Sequence, residues 1–169
     1  MKSDLRIFSY LPNPRIWEAT IAARLCGLDV EVRGASPKEL ETWLWDFDAR
    51  PLAEGEESPS DVRIGRTGFK GVRLRETDAF LEAHPFGTVP AAFSPDGKVG
   101  IFESNSILRA VGRIGEARVA LYGRDAYEAS RIDSSWTRVS CSRGTRRRTC
   151  WRSSAGIPSA RAMRALATR

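Results

Sequence analysis

The chain has 169 residues, 41% of them hydrophobic, enough for one globular domain or one and a fragment. No apolar run approaches the roughly 18 residues of a membrane span, and the opening MKSDLRIFSY lacks a signal-peptide core, so the expected location is cytoplasmic. The net charge of +6 is uneven: residues 138–169 hold nine arginines and no acid, while residues 1–137 hold 18 basic and 21 acidic residues, a net of −3.

Leu5–Tyr10 alternates and predicts a strand, which Leu11-Pro12-Asn13-Pro14 breaks. Arg15–Leu25 carries apolar residues at Ile16, Ala19 and Ala23 and again at Trp17, Ile21 and Leu25. The predicted helix is therefore apolar nearly all round, and buried. Gly27 ends it, and Leu28–Val32 predicts a second strand. Strand, helix and strand in about 30 residues make a βαβ unit, with parallel pairing and a right-handed crossover.

Ser36-Pro37-Lys38-Glu39 is a capping box with proline at the first helical position. Leu40, Trp43, Leu44 and Phe47 then share one helical face, with Trp45 off the stripe, until Pro51 stops the helix. Residues 53–60 are a polar loop. Residues 62–75 alternate with glycines and predict a hairpin or an extended loop. Thr77–Ala83 predicts a short helix leading into His84-Pro85.

Val89-Pro90 must be a strand start, an edge or a cis turn, because proline is excluded from the middle of a sheet. Pro90–Ser94 and Val99–Phe102 flank Pro95-Asp96-Gly97-Lys98, whose Asp-Gly pair signals a β-hairpin. Glu103-Ser104-Asn105 opens a helix capped by Ser104 or Asn105. Its unpaired N–H groups and partial positive charge can hold a carboxylate. That helix sets Ile107, Val111 and Ile114 on one face, and Gly115 ends it. Leu121-Tyr122-Gly123 connects to a capping pair, Asp125 and Glu128, and a further helix through Ile132 and Trp136.

From Arg138 the periodicity stops, apart from a weak helical stretch at Ala160–Leu166. Serine, arginine, threonine and glycine dominate, as in a disordered tail. The change falls inside an apolar helix, so 138–169 reads as a shifted reading frame, a misjoined exon or a truncated gene model.

Pro85-Phe86-Gly87, Val89-Pro90 and Glu103-Ser104-Asn105-Ser106-Ile107, in this order and behind the opening LRIFSYLPNPRIWEATIAARLCGLDVEV, carry a family resemblance. The chain resembles the N-terminal, thioredoxin-like domain of the glutathione transferase superfamily over residues 4–35 and 77–136. The PNPR and FESNSI spellings are most similar to the transferase-like domain of elongation factor 1 gamma. The resemblance implies an α/β fold, a thioredoxin-like βαβ-ββα domain with a mixed sheet over residues 4–115. Within it, 36–76 is an insertion or an enlarged active-site flank. Residues 116–137 would be a linker and the first helix of an all-α domain that is cut short, and 138–169 an irregular Arg/Ser-rich tail.

The resemblance also implies glutathione as co-substrate. Val89 would pair its N–H and C=O with the cysteinyl part, like an added strand, next to a cis bond to Pro90. Ser104 and the helix N–H groups would take the γ-glutamyl carboxylate, and Glu103 would face its ammonium. The plainer alternative makes Ser104 an N-cap and Pro90 a strand-start turn. The chemistry needs a donor to the glutathione sulfur, lowering a thiol pKa that starts near about 8.5. Tyr10 is the best hydroxyl, Ser9 the next, and Asn13 offers a weaker amide donor; Tyr10 also reads as strand-end packing. That segment has no cysteine, which excludes thioredoxin-type redox chemistry.

Two functions compete. One is an enzyme joining glutathione to a small electrophile. The other is a non-catalytic scaffold of the elongation factor 1 gamma type. The implied assemblies are a homodimer or a translation elongation complex.

The remaining residues read more plainly. His84 is the sole histidine and reads as a helix C-terminal residue rather than a ligand. Cys26, Cys141 and Cys150 form no CxxC and no metal spacing, so no metal is expected, and Cys26 reads as a small buried residue. Arg63, Arg66, Lys70, Arg73 and Arg75 read as a solvated face ahead of a contact to the glycyl carboxylate. Trp43 and Trp45 could shape an electrophile pocket, with core packing preferred for Trp43. Arg143, Arg146, Arg147 and Arg148 near Trp151 attract phosphate without sequence preference, so adventitious contact ranks above evolved nucleic-acid binding.

Overall fold

A computed structural model of the chain describes residues 3–56, 62–65 and 69–143. The chain divides into two units, Met1–Ile132 and Asp133–Arg169. In the first, strand β1 (Leu5–Phe8) leads through a 3-10 turn (Pro14–Ile16) into helix α1 (Trp17–Cys26) and strand β2 (Val30–Arg33). β1 and β2 pair in parallel, Leu5 opposite Val30 and Phe8 opposite Arg33, as a βαβ unit requires. Gly27 closes α1 in the left-handed conformation, φ 63°, where a side chain would be strained.

The segment after the capping box departs from expectation. Glu39 does accept the Ser36 N–H at 2.9 Å, but only a 3-10 turn (Glu39–Thr42) follows. Trp43–Trp45 is then strand β3, not helix. The reason lies in Trp45. A helix with Leu40, Trp43, Leu44 and Phe47 inside would leave Trp45 in water, whereas an extended chain buries Leu44 and Trp45 on opposite faces. Phe47 is left on the surface.

β4 (Arg50–Pro51), β5 (Val62–Ile64) and β6 (Arg73–Glu76) complete a second sheet, ordered β4-β3-β6-β5. β5 and β6 form the antiparallel pair expected between 62 and 75. The segment 36–76 thus builds a four-stranded sheet of its own.

Helix α2 (Asp78–Ala83) starts on the Thr77 side chain, which accepts the Phe80 N–H. β7 (Ala91–Phe93) and β8 (Gly100–Phe102) form the expected hairpin, and α3 runs over Ser104–Ile114. The first sheet is ordered β2-β1-β7-β8, with β7 antiparallel to β1 and to β8. With α1, α2 and α3 this is the thioredoxin-like arrangement. α4 covers Ala126–Arg143. Asp125 Oδ1 accepts the Tyr127 and Glu128 N–H groups, and Glu128 Oε2 accepts that of Arg124, so both halves of the capping pair are used. Of the second unit the described part is the rest of α4, so residues 138–143 are helical where the irregular tail was expected to begin, and the remainder of that expectation, 144–169, lies outside the described residues.

The two sheets of the first unit share one core. Phe8, Ala91 and Phe93 of the first sheet meet Trp45 and Leu74 of the second, with Leu40, Phe69 and Phe80 between. Trp45 meets Phe8 edge-on at 4.8 Å and Phe69 at 5.6 Å. Trp43 is half-buried and stacks on Phe8 at 6.1 Å. Arg6 ties the rim. It bonds Glu31 at 2.8 Å, Asp48 at 2.7 Å and the Phe47 carbonyl at 3.2 Å, with its guanidinium over the Phe47 ring.

α1 is not buried all round. Ala19, Ala22, Ala23 and Cys26 are covered, while Trp17, Ile21 and Leu25 stay 55%, 58% and 63% exposed. Small residues on the inner face let α1 approach α3 closely. A Cβ on Gly115 would stand 2.5 Å from that of Cys26. On α3, Ile107 and Val111 are buried as expected and Ile114 is not.

Candidate functional site

Strand register gathers the candidate residues at one end of the first sheet. Phe8, the last residue of β1, faces Ala91, the first of β7, and Ala91 faces Phe102, the last of β8. Ser9 and Tyr10 therefore leave the sheet beside Val89-Pro90, and Glu103-Ser104 leaves it on the other side.

The Val89-Pro90 bond is cis. The Val89 side chain packs against the shared core, and among the described residues no hydrogen bond reaches its N–H or C=O. Glu103 is exposed, with φ 68°, and precedes α3 without a side-chain capping bond. The expected cap on Ser104 or Asn105 is thus shifted: Ser104 is already helical, and the Glu103 carbonyl accepts the Ser106 and Ile107 N–H groups at 2.9 and 3.0 Å. Left-handed backbone at Glu103 turns the strand abruptly into the helix, and the helix N-terminus, half-buried at Ser104, carries the partial positive charge of the peptide dipoles.

The candidate sulfur donors sort differently. Ser9 and Asn13 are fully buried and bonded together, Asn13 Nδ2 donating to Ser9 Oγ at 2.9 Å. The Ser9 hydroxyl gives its proton to the Tyr10 carbonyl at 3.0 Å, and Asn13 Oδ1 accepts the Arg15 N–H at 3.0 Å. A hydroxyl has one proton, so Ser9 has none left for a thiol. Tyr10 is half-buried, its ring edge-on to Phe69 at 6.1 Å.

Sequence reasoning missed several participants. Gly34, with φ 154°, lies so close under Ser9 that a Cβ there would stand 1.7 Å from the Ser9 carbonyl oxygen. Gly87, φ 55°, lies against the buried Glu76 carboxylate, whose Oε1 would be 2.6 Å from a Cβ. Of these two glycines only Gly87 was hinted at, by the PFG spelling. His84 is the C-cap of α2, as its reading as a helix C-terminal residue expects, but its burial and its bond to Thr88 were not foreseen.

Of the basic flank, Arg63, Lys70 and Arg73 are exposed, Arg75 is half-buried, and Arg66 lies outside the described residues. Cys26 is buried, as expected. Among the described residues no group of histidines, cysteines and carboxylates could hold a metal, and no helix is long and apolar enough to cross a membrane.

No protein-family model matches the chain, and no curated protein sequence matches it. Among solved structures it is similar to an omega-class glutathione transferase, 3C, from Trametes versicolor, at 14% identity and TM-score 0.49, covering 83% of this chain and 47% of that one. It is similar to a theta-class glutathione S-transferase with glutathione bound, from the citrus canker pathogen Xanthomonas axonopodis pv. citri, at 19% identity and TM-score 0.47, covering 80% and 49%. A glutathione S-transferase from the Antarctic clam Laternula elliptica stands at 16% identity and TM-score 0.48, covering 82% and 47%. The chain spans about half the length of these proteins.

Proposed function

We propose that this chain binds glutathione at the end of its first sheet and, as a glutathione transferase-like protein, joins the glutathione sulfur to an electrophile. The observation that carries this reading is the unpaired main chain of Val89 beside the N-terminal turn of α3. An extended peptide bearing an amide and, a few bonds away, a carboxylate has a partner for each there. The cysteinyl amide pairs with Val89. The γ-glutamyl carboxylate takes the Ser104 hydroxyl and the helix N–H groups, and the ammonium faces Glu103. Tyr10 then supplies the proton that stabilises the thiolate. The thiolate forms the new C–S bond as the electrophile's leaving group departs, and the thiol proton goes to solvent.

A second reading is a non-catalytic scaffold of the elongation factor 1 gamma type. The commitment of Ser9 and Asn13 to each other favours it, since both are spent on structure. A cytoplasmic location and assembly as a homodimer or within a translation elongation complex belong to these proposals.

Thermal unfolding with and without millimolar glutathione tests binding, because a ligand at 100 times its Kd stabilises the folded state by about 2.7 kcal/mol. A rise that Ser104→Ala blunts supports the site; a cooperative transition that glutathione leaves unmoved overturns it. Turnover of a model electrophile that Tyr10→Phe abolishes supports the enzyme. Binding without turnover supports the scaffold.

A further inference from the structure

One buried titratable group takes no part in the chemistry above. His84 ends α2, its own N–H bonded to the Phe80 carbonyl at 2.8 Å. Its Nε2 lies 2.7 Å from the Thr88 carbonyl oxygen, 3.2 Å from the Thr88 N–H nitrogen and 3.3 Å from Thr88 Oγ1. The shortest of these contacts is to a carbonyl, which only accepts, so the ring proton is assigned to Nε2. Nδ1 is then a bare lone pair, buried and without a partner among the described residues. The other tautomer would accept the more distant Thr88 N–H, but it would bury an unbonded Nδ1–H and turn a lone pair on the nearer Thr88 oxygen. The same ring lies flat on Phe102, centroids 5.1 Å apart and planes 4° from parallel. Thr88 immediately precedes Val89, and Phe102 immediately precedes Glu103. One imidazole therefore holds both approaches to the strand-end site.

We propose that His84 is a positioning residue that fixes the Val89 arm against the Glu103-Ser104 arm, and that its protonation loosens both. The ligand in this proposal rests on the glutathione reading; the positioning does not. A second proton would go to Nδ1 and place a full charge among Phe80, Phe86 and Phe102. Glu103, at the β8–α3 junction, favours the charged ring, and Glu76 of β6 stands against Gly87 of the same loop. Burial outweighs both the bond to Thr88 and Glu103, and holds the imidazole below its ordinary pKa of 6.5. Charging it at acid pH thus favours a conformation in which the ring reaches water and leaves Phe102.

Amide hydrogen exchange on the full chain without ligand tests this directly. Gly87 N–H, on the His84 carbonyl, reports one arm; Ser106 N–H, on the Glu103 carbonyl, reports the other. Ser9 N–H, bonded to the Arg33 carbonyl in the sheet, is the reference for global opening. Relative to Ser9, both amides are expected to lose protection about tenfold in the wild type between about pH 7.5 and pH 5.5, after correction for intrinsic rates. His84→Gln, which keeps a donor for Thr88 but cannot charge, is expected to show no such loss. His84→Phe, which keeps the ring but not the donor, is expected to be loose at both pH values. Equal pH responses in wild type and His84→Gln overturn the proposal. Calorimetry with glutathione separates the two levels. PH-dependent exchange without glutathione binding sinks the ligand reading alone, and binding with flat exchange sinks the positioning alone.

Discussion

Asn13→Ala separates a structural from a chemical role at the end of β1. Asn13 is fully buried and makes two bonds, one to Ser9 Oγ and one from the Arg15 N–H that caps the turn into α1. Losing the cap costs about 0.5–2 kcal/mol. Losing the bond to Ser9 costs about 1 kcal/mol, and the Ser9 oxygen left buried without its donor adds about 1 kcal/mol more. The sum is about 2.5–4 kcal/mol, a fall in Tm of about 5–16 °C for a chain of this size. Asn13→Asp keeps the capping acceptor, but the Ser9 hydroxyl can donate to it only by leaving the Tyr10 carbonyl, and the new carboxylate is buried, so a loss of about 1–3 kcal/mol is expected. Differential scanning calorimetry measures all three proteins. An alanine variant that melts within about 1 °C of the wild type would refute the reasoning, because no buried bond pair can be deleted that cheaply. If Asn13 instead served the glutathione sulfur, Asn13→Asp would lose turnover while its Tm stayed near that of the wild type.

Three further outcomes are expected. Gly87→Ala drives a methyl against the Glu76 carboxylate at a positive φ, so it should destabilise by about 1–3 kcal/mol in urea unfolding. Arg6→Ala removes the bonds to the part-exposed Glu31 and Asp48; a loss of about 1–2 kcal/mol is expected in urea unfolding. Glu56 is gripped through both oxygens by Arg50, which holds its carboxyl down to about 2 against an ordinary 4.5. Because the folded value is the lower one, this contribution is complete above 4.5 and is lost as pH falls through about 2. An NMR titration of Glu56 should therefore rise toward its ordinary value in Arg50→Ala and stay low in the wild type.

The parts of the fold legible in the sequence were those fixed by local chemistry. Gly27 and Asp96-Gly97 marked their turns because only certain residues fit them. Asp125 and Glu128 marked a helix start through side chains that reach their own backbone. The parts that were not legible depend on distant partners. Trp43–Trp45 carries a helical stripe in sequence, and only the presence of Phe8, Phe69 and Phe80 makes a strand the better burial. On α1, periodicity gave two apolar faces but not which one α3 would cover; the small alanines decided it. At the site, Val89-Pro90 and Glu103-Ser104 were visible as motifs. The Ser9–Asn13 bond was not, although the residues are four apart, because the intervening proline turn hides their approach.

The shared core has a consequence for how the protein comes apart. Residues 36–76 lie between β2 and α2 in the chain, and their Leu40, Trp45, Phe69 and Leu74 cover Phe8, Ala91 and Phe93. Losing that cover would strip one face of the first sheet to water, so the two sheets are expected to melt together in one transition rather than one after the other.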